Sequence, residues 1–255
     1  MKLEAIIFDV DGTLAETERH GHRVAFNAAF EELQLGWHWD ETLYGKLLAV
    51  PGGKARLRHW LKDHPVPLTC PADSDLMAKT IHRCKTRHYQ ALIRQGAVPL
   101  RAGVVRLLRE AHGAGVRLAI ATAAGAEGVQ TLLEQALPPP GPDFFQVVVT
   151  GDDVARGKPA PDIYLRVLEQ LDVPPERCIA IEDAAAGLQA AREAGLTTLV
   201  TVNDYTAHEA FPGAAAIIDS LGEPDAPCRV LAGELPLREP LLVDLPALEA
   251  LVEQH

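Results

Sequence analysis

The sequence predicts an α/β fold: a doubly wound, Rossmann-like parallel sheet forms the core, and a helical domain is inserted after the first strand. Three observations predict it. Short, almost continuous apolar runs recur along the chain, as in strands that helices cover on both faces. Segments of helical length and composition lie between these runs. From about Glu16 to Gln95, however, no strong strand pattern occurs.

The apolar runs are the predicted strands. In chain order they are Leu3–Phe8, Val116–Ala121, Phe145–Thr150, Cys178–Ile181, Thr198–Val202 and the weaker Ala215–Ile218. The predicted core helices are Val104–His112, Asp162–Leu171, Ala184–Ala194 and a short one near Pro246–Glu253. Strands that alternate with helices in this way predict a parallel sheet.

The interruption after the first strand predicts a separate cap domain. Phe26 and Phe30 are four residues apart, a spacing typical of amphipathic helices. We therefore expect a helical cap over residues 16–95, and an α/β core made of residues 1–15 and 96–255.

Charge and composition limit the function. The 255 residues include 24 Lys+Arg and 35 Asp+Glu, a net charge of −11 that argues against nucleic-acid or membrane partners. The cysteines form no C-x-x-C pair, so we expect reduced thiols at Cys70, Cys84, Cys178 and Cys228. Without a signal-peptide or membrane-span pattern, we expect a cytoplasmic protein. We also expect a monomer.

Two aspartates end the first predicted strand. Asp9 and Asp11 project to the same side of a strand, and Gly12 after them suits a turn. The carboxyl end of a strand is where open α/β sheets form ligand crevices. Two close carboxylates attract a cation, and Mg²⁺ prefers such oxygen ligands. Alternatively, one acid caps a helix and the other forms an Asx-turn, and the pair alone leaves both interpretations open.

Three later strand ends favour phosphoryl chemistry. Thr122 follows the second strand, Lys158 lies in "GKPAPD" after the third, and Glu182-Asp183 follows the fourth. Together with the first acidic pair they supply a nucleophile, a proton donor, phosphate ligands and a metal ligand. These are the groups that phosphoryl transfer through an aspartyl-phosphate requires.

With these groups in this order, the sequence resembles the haloacid dehalogenase (HAD) superfamily. Its four motifs are matched in order by "DVDGT" (Asp9–Thr13), "AT" (Ala121–Thr122), "GKPAPD" (Gly157–Asp162) and "IEDAAAGLQAAREAG" (Ile181–Gly195). The resemblance extends over nearly the whole chain to about Asp219. It implies the α/β core and the cap described above.

The resemblance also implies roles for single residues. Asp9 would be the nucleophile and a Mg²⁺ ligand, and Asp11 the general acid/base, which also binds Mg²⁺ through its backbone carbonyl. Thr122 and Lys158 would hold the transferring phosphoryl group, and Asp183 would complete the metal site.

Two positions depart from the family pattern. Ala123, at a substrate-binding position, stands where Ser or Asn is common, and Ala184 stands where Ser is usual. Both departures remove a polar group near the predicted site. We expect altered hydrogen bonding to phosphate rather than lost chemistry.

The predicted cap contains a candidate phosphate site in "VPGGKARLRHW" (Val50–Trp60). Gly52 and Gly53 precede a predicted helix start, and Lys54 and Arg56 follow. Backbone N–H groups at a helix N-terminus, together with cations, can bind phosphate. The alternative is a solvated cationic helix face.

These features together resemble the CbbY-like branch of the superfamily, which contains sugar-bisphosphate phosphatases associated with carbon fixation in the Calvin cycle. By that resemblance Glu18 and His22 would contact the substrate from the hinge side. Tyr44, Lys54 and Arg56 would bind its second phosphate.

The sequence therefore predicts a Mg²⁺-dependent phosphatase that acts on a sugar bisphosphate similar to xylulose 1,5-bisphosphate. A phosphomutase similar to β-phosphoglucomutase remains an alternative, because it uses the same motifs. A non-catalytic sugar-phosphate-binding module on the same fold is a third interpretation. A dehalogenase is disfavoured, because that chemistry needs neither Asp11 nor a metal.

Overall fold

The computed structural model divides into two compact units. The described residues are 2–50, 52–64, 66 and 74–254. The first unit comprises Met1–Glu16 and Leu100–His255, and the second comprises Thr17–Pro99. The chain re-enters the first unit through backbone pairing, because Leu100 bridges Ala15. This pairing places the return to the first unit four residues after the predicted boundary at residue 96.

The first unit contains a seven-stranded sheet in the order β3-β2-β1-β4-β5-β6-β7. Its strands are β1 (Ala5–Phe8), β2 (Arg117–Ala121), β3 (Val147–Val149), β4 (Cys178–Glu182), β5 (Thr197–Thr201), β6 (Ala216–Ile218) and β7 (Val230–Gly233). The first six are parallel, and β7 pairs antiparallel with β6. The predicted parallel sheet is confirmed.

Helices cover this sheet on both faces. The helices of the first unit are α5 (Val104–Ala114), α6 (Ala126–Ala136), α7 (Asp162–Leu171), α8 (Ala185–Glu193) and α9 (Leu245–Gln254), numbered after the four of the second unit. Alternate residues of β1, β2 and β4 pack in one apolar cluster with α7 and α8. Helices α5 and α9 contact β2, β4 and each other. Every residue of β1 is therefore buried, which explains its unbroken apolar sequence.

Two elements were missing from the predicted pattern. Helix α6 lies between β2 and β3, and its sequence contains Gly128, which weakens the local helical signal. Strand β7 is exposed at all four residues. Burial therefore does not explain its apolar sequence, and β7 is a strand because it pairs with β6.

The described part of the second unit is helical. After a π-helical turn at Glu18–His22 it contains α1 (Arg23–Glu32), α2 (Glu41–Leu47), α3 (Gly53–Asp63) and α4 (Ser74–Arg94). Phe26 and Trp39 pack with ring centroids 4.8 Å apart at its centre, and Trp39 is fully buried. Aromatic packing therefore supplies much of this core.

No helix in the described ranges is long and apolar enough to cross a membrane. Cys84, Cys178 and Cys228 are buried free thiols, and Cys70 lies outside the described residues.

Candidate active site

The predicted chemical groups of the first unit lie at the carboxyl ends of neighbouring strands. Strand β1 is paired with β2 on one side and with β4 on the other. Asp9 directly follows β1, Thr122 directly follows β2, and Asp183 directly follows β4. Because these strands are parallel and in register, their ends meet at one edge of the sheet.

A buried lysine connects the carboxylates at this edge. Lys158 Nζ lies 2.7 Å from Oδ1 of Asp9 and 2.5 Å from Oε1 of Glu182. It also donates to the carbonyl oxygen of Ala121 at 2.9 Å. The hydroxyl of Tyr164 donates to the same oxygen of Glu182 at 2.5 Å. The ammonium group is therefore held at a fixed position beside the Asp9 carboxylate.

Burial governs the protonation of this cluster. It raises the pKa of Asp9 to about 8, with Lys158 opposing the shift and Glu182 adding to it. Burial, Asp9 and Glu182 likewise raise the pKa of Asp183. The pKa of Lys158 is raised despite its burial, because Asp9 and Glu182 favour the charged ammonium. The cluster thus favours additional positive charge.

The donor set fits a hard divalent cation. Carboxylate oxygens of Asp9, Glu182 and Asp183 lie within 4.8 Å of one another, and all three residues are buried. Among the described residues, one ammonium, that of Lys158, contacts these carboxylates. Oxygen-only ligands with excess negative charge suit Mg²⁺ better than a softer transition metal.

The remaining predicted residues of the first unit lie beside this cluster. Asp11 is half-buried, and its charge contributes to raising the pKa of Asp9. Thr122 is fully buried, and its hydroxyl oxygen accepts a hydrogen bond from the Ala124 N–H at 3.2 Å. The hydroxyl hydrogen can therefore donate to another group. Ala123 is exposed.

The sequence interpretation missed Asn203, which follows β5. Its side-chain amide donates to Oδ2 of Asp183 at 2.7 Å and to the carbonyl oxygen of Gly12 at 3.4 Å. Asn203 therefore connects the first and fourth motifs. A polar residue at one more strand end is the only sequence signal that could have indicated it.

In the second unit, three predicted residues form a hydrogen-bonded chain. The hydroxyl of Tyr44 donates to Oε2 of Glu18 at 2.5 Å. Arg56 Nη1 donates to the Tyr44 oxygen at 2.9 Å, and Arg56 Nε donates to the carbonyl of Leu47 at 3.0 Å. Arg56 is 5% exposed. A solvated helix face is therefore the wrong interpretation for Arg56.

The predicted glycines lie at the start of α3. Gly52 precedes the helix with a φ of 84°, a conformation that favours glycine. A Cβ on Gly53 would lie 3.0 Å from the His82 ring. Lys54, in the first turn of the same helix, is exposed. The His82 ring therefore lies next to the start of α3, where the first backbone N–H groups have no partner within the helix.

Helix α4 adds basic groups that the sequence interpretation did not include. Lys85 is buried, and its Nζ lies 2.8 Å from Nδ1 of His22 and 4.7 Å from the Tyr89 ring centroid. Burial, followed by the charges of Lys85, Lys54 and His22, lowers the pKa of His82 to about 4. These basic groups therefore produce a positive potential in the second unit. The i, i+3 spacing of His82 and Lys85 was a possible sequence signal.

Comparisons with known proteins identify the family of the chain. Residues 3–195 match the family of haloacid dehalogenase-like hydrolases. The chain is 46% identical over 224 residues to Protein CbbY of Cereibacter sphaeroides, covering 87% of this chain and 94% of that protein. It is 31% identical to a phosphorylated carbohydrates phosphatase of Thermotoga maritima, covering 78% and 85% of the two chains.

A solved structure is similar over the same length. A mutant CbbY from Rhodobacter sphaeroides, in complex with xylulose 1,5-bisphosphate, aligns with a TM-score of 0.77. The two chains are 43% identical, and the alignment covers 86% of this chain and 96% of the other. The predicted resemblance to the superfamily and to its CbbY-like branch is confirmed.

Proposed function

The chain belongs to the haloacid dehalogenase-like hydrolases, and on that premise we propose that it is a Mg²⁺-dependent phosphatase of a phosphorylated sugar. The observation that carries the proposal is the contact of Lys158 with Asp9 in a buried carboxylate cluster. A nucleophilic carboxylate must be ionised, and the charge of Lys158 opposes the rise in the pKa of Asp9 that burial causes. Bound Mg²⁺ would lower that pKa further, because it competes with the proton for the carboxylate.

In the proposed mechanism Asp9 attacks the phosphorus of a phosphate ester. The bond between phosphorus and the sugar oxygen breaks, and Asp11 donates a proton to that oxygen. Asp11 then removes a proton from water, which attacks the aspartyl-phosphate and releases inorganic phosphate and the Asp9 carboxylate. Lys158 and Thr122 hold the non-bridging oxygens of the phosphoryl group.

Asp9, Asp183 and the backbone carbonyl of Asp11 would hold Mg²⁺. When bound, Mg²⁺ supplies positive charge for the phosphoryl oxygens. Asn203 orients Asp183 for this purpose through its hydrogen bond of 2.7 Å.

We propose that the substrate is a sugar bisphosphate, similar to the xylulose 1,5-bisphosphate bound by the CbbY relative. The second unit would bind the phosphate that does not react, through the N-terminal glycines of α3, Gly52 and Gly53, and through Lys54. Arg56 and Tyr44 would support that site, and their buried hydrogen bond suits a fixed position. Glu18 and His22 would contact the sugar.

The test measures phosphate release with Mg²⁺ from xylulose 1,5-bisphosphate and from pentose and hexose monophosphates. We expect the bisphosphate to have the highest kcat/KM. Asp9→Asn should lower kcat by at least about a thousand-fold, because it removes the nucleophile. Asp143→Asn, at an exposed aspartate, is the matched control and should leave kcat unchanged.

Other results would contradict the proposal. Interconversion of glucose phosphates without net phosphate release would indicate a phosphomutase. Tight binding of sugar phosphates with no turnover of any of them would indicate a binding module.

A further inference from the structure

Among the described residues of the first unit, Arg101 is a second buried cation. Its charge interacts with that of Asp183, but its hydrogen bonds and ion pair go to groups outside the cluster of Asp9, Glu182 and Asp183. Its side chain is 6% exposed, and every N–H donor of the guanidinium has a partner. Nε lies 3.0 Å from the Glu16 carboxylate. Nη1 and Nη2 donate only to backbone carbonyl oxygens, which belong to Gly12, Thr201, Val202 and Asp219.

On one side Arg101 fixes the turn after Asp11. Nη1 donates to the carbonyl oxygen of Gly12, while the Gly12 N–H donates to the carbonyl of Ala15 at 2.9 Å. The peptide group that joins Asp11 to Gly12 also carries the Asp11 carbonyl. Because both backbone groups of Gly12 are bonded, the direction of that carbonyl is fixed as well.

On the other side Arg101 holds the end of β5. It donates to the carbonyl of Thr201 at 2.8 Å and to that of Val202 at 2.6 Å. The next residue is Asn203, which donates to Asp183. The gap between the Asp11–Gly12 turn and the loop that carries Asp183 is narrow, since a Cβ on Gly12 would lie 2.3 Å from Oδ2 of Asp183.

We infer that Arg101 is a positioning residue for the divalent-cation site: it sets the spacing between the Asp11–Gly12 turn and Asp183. The inference rests on the proposed function, because it assigns Mg²⁺ to this site. Mg²⁺ demands nearly ideal octahedral geometry. A change in this spacing therefore weakens cation binding even when every ligand is still present.

Lysine cannot replace the guanidinium in this arrangement. The planar fork of arginine directs several donors at once, whereas an ammonium is a compact charge at the end of a flexible chain. Arg101→Lys keeps the charge but cannot reach all four carbonyls. It thus separates the effect of spacing from the effect of charge.

The chain offers a matched control in Arg106, another arginine that donates to backbone carbonyls. Its Nη2 donates to Leu221 at 2.9 Å, to Gly222 at 3.1 Å and to Val243 at 2.8 Å. None of these carbonyls is in a loop that carries a predicted metal ligand. Arg106→Met should therefore cost stability, as Arg101→Met does, without changing cation binding.

The experiment titrates Mn²⁺, as a paramagnetic substitute for Mg²⁺, into the full-length protein and measures free Mn²⁺ by electron paramagnetic resonance. Wild type, Asp9→Asn, Arg101→Lys, Arg101→Met and Arg106→Met are compared, with thermal unfolding recorded for each. We expect the Kd for Mn²⁺ to rise at least ten-fold in Arg101→Met and three- to ten-fold in Arg101→Lys. Arg106→Met should stay within two-fold of wild type.

The outcomes separate this inference from the proposed function. If wild type and Asp9→Asn bind Mn²⁺ equally, the proposed metal site is wrong. If wild type shows Asp9-dependent binding and Arg101→Lys binds as tightly as wild type, the positioning role is wrong. Should Arg101→Met fail to fold, Arg101→Lys decides alone. An equal loss of binding in Arg106→Met would mean that general destabilisation, and not spacing, weakens the site.

Discussion

Lys54 and Arg56 are two residues apart in α3, and the structure gives them different surroundings. Arg56 is buried and bonded to Tyr44 and Leu47, so its replacement would disrupt packing as well as charge. Lys54 is exposed, so its charge can be removed without leaving a buried group unpaired. Lys54 is therefore the better residue with which to test the second phosphate site.

Lys54→Ala should reduce the preference for a bisphosphate over a monophosphate by about ten-fold, because a charged hydrogen bond contributes about 1.5 kcal/mol or more. The measurement is the ratio of kcat/KM for the two substrates. Lys62→Ala removes another exposed lysine, near the other end of α3, and should leave the ratio unchanged. Equal ratios in Lys54→Ala and wild type would exclude Lys54 from the phosphate site.

At the scale of elements, the close approach of α8 to β4 positions Glu182. A Cβ on Gly187 of α8 would lie 2.1 Å from either carboxylate oxygen of Glu182. The absence of a side chain at Gly187 thus lets the carboxylate reach Lys158 and Tyr164. The sequence "AAAGLQAA" does not indicate this close approach, because the residue that Gly187 contacts, Glu182, is five residues earlier in the chain, on the other side of a turn.

Gly187→Ala should lower kcat by about ten-fold or more, because it displaces Glu182 and with it Lys158. Alanine favours a helix over glycine by about 1 kcal/mol, so helix propensity alone predicts a higher free energy of unfolding. Steady-state kinetics and chemical denaturation of the same variant distinguish the two.

The control for this variant is Gly113→Ala in α5. A Cβ on Gly113 would meet nothing within 4 Å. This change should raise the free energy of unfolding by up to about 1 kcal/mol and leave kcat unaffected. If Gly187→Ala behaved in the same way, the close approach would not matter for Glu182.

At the scale of the whole molecule, the buried acids connect folding to pH and to metal. The pKa of Asp9 is about 8 in the folded chain, against an ordinary value of 3.8. Between these values the folded state holds a proton that the unfolded state releases. The contribution of Asp9 to stability is therefore fully present below about pH 4 and is lost as pH rises through about 8.

Mg²⁺ should reverse this loss, because it binds the ionised carboxylates and competes with the proton. We expect Mg²⁺ to raise Tm more at pH 8 than at pH 5.5, each compared with a sample that contains chelator. A stabilisation of 1 kcal/mol corresponds to about 2–4 °C in a chain of this size. In Asp9→Asn the difference between the two pH values should be much smaller; an unchanged difference would place the linked group elsewhere.

The parallel part of the sheet and the chemical groups at its edge could be predicted from the amino-acid sequence. Burial on both faces forces a strand to be apolar throughout, so β1, β2 and β4 could be recognised from their composition alone. The polar residues that interrupt these runs necessarily lie at strand ends. Asp9, Thr122 and Asp183 could therefore be identified without coordinates, and the order of the motifs indicated the family.

The groups that hold these residues in place are evident only in the folded protein. Arg101 and Asn203 act through backbone carbonyls and a single amide, and such contacts leave no periodic pattern in a sequence. Lys85 contacts His22 across 63 residues, and β7 becomes a strand only through its pairing with β6. Long-range contacts of this kind depend on how elements pack, and packing is a property of the folded chain that no local segment encodes.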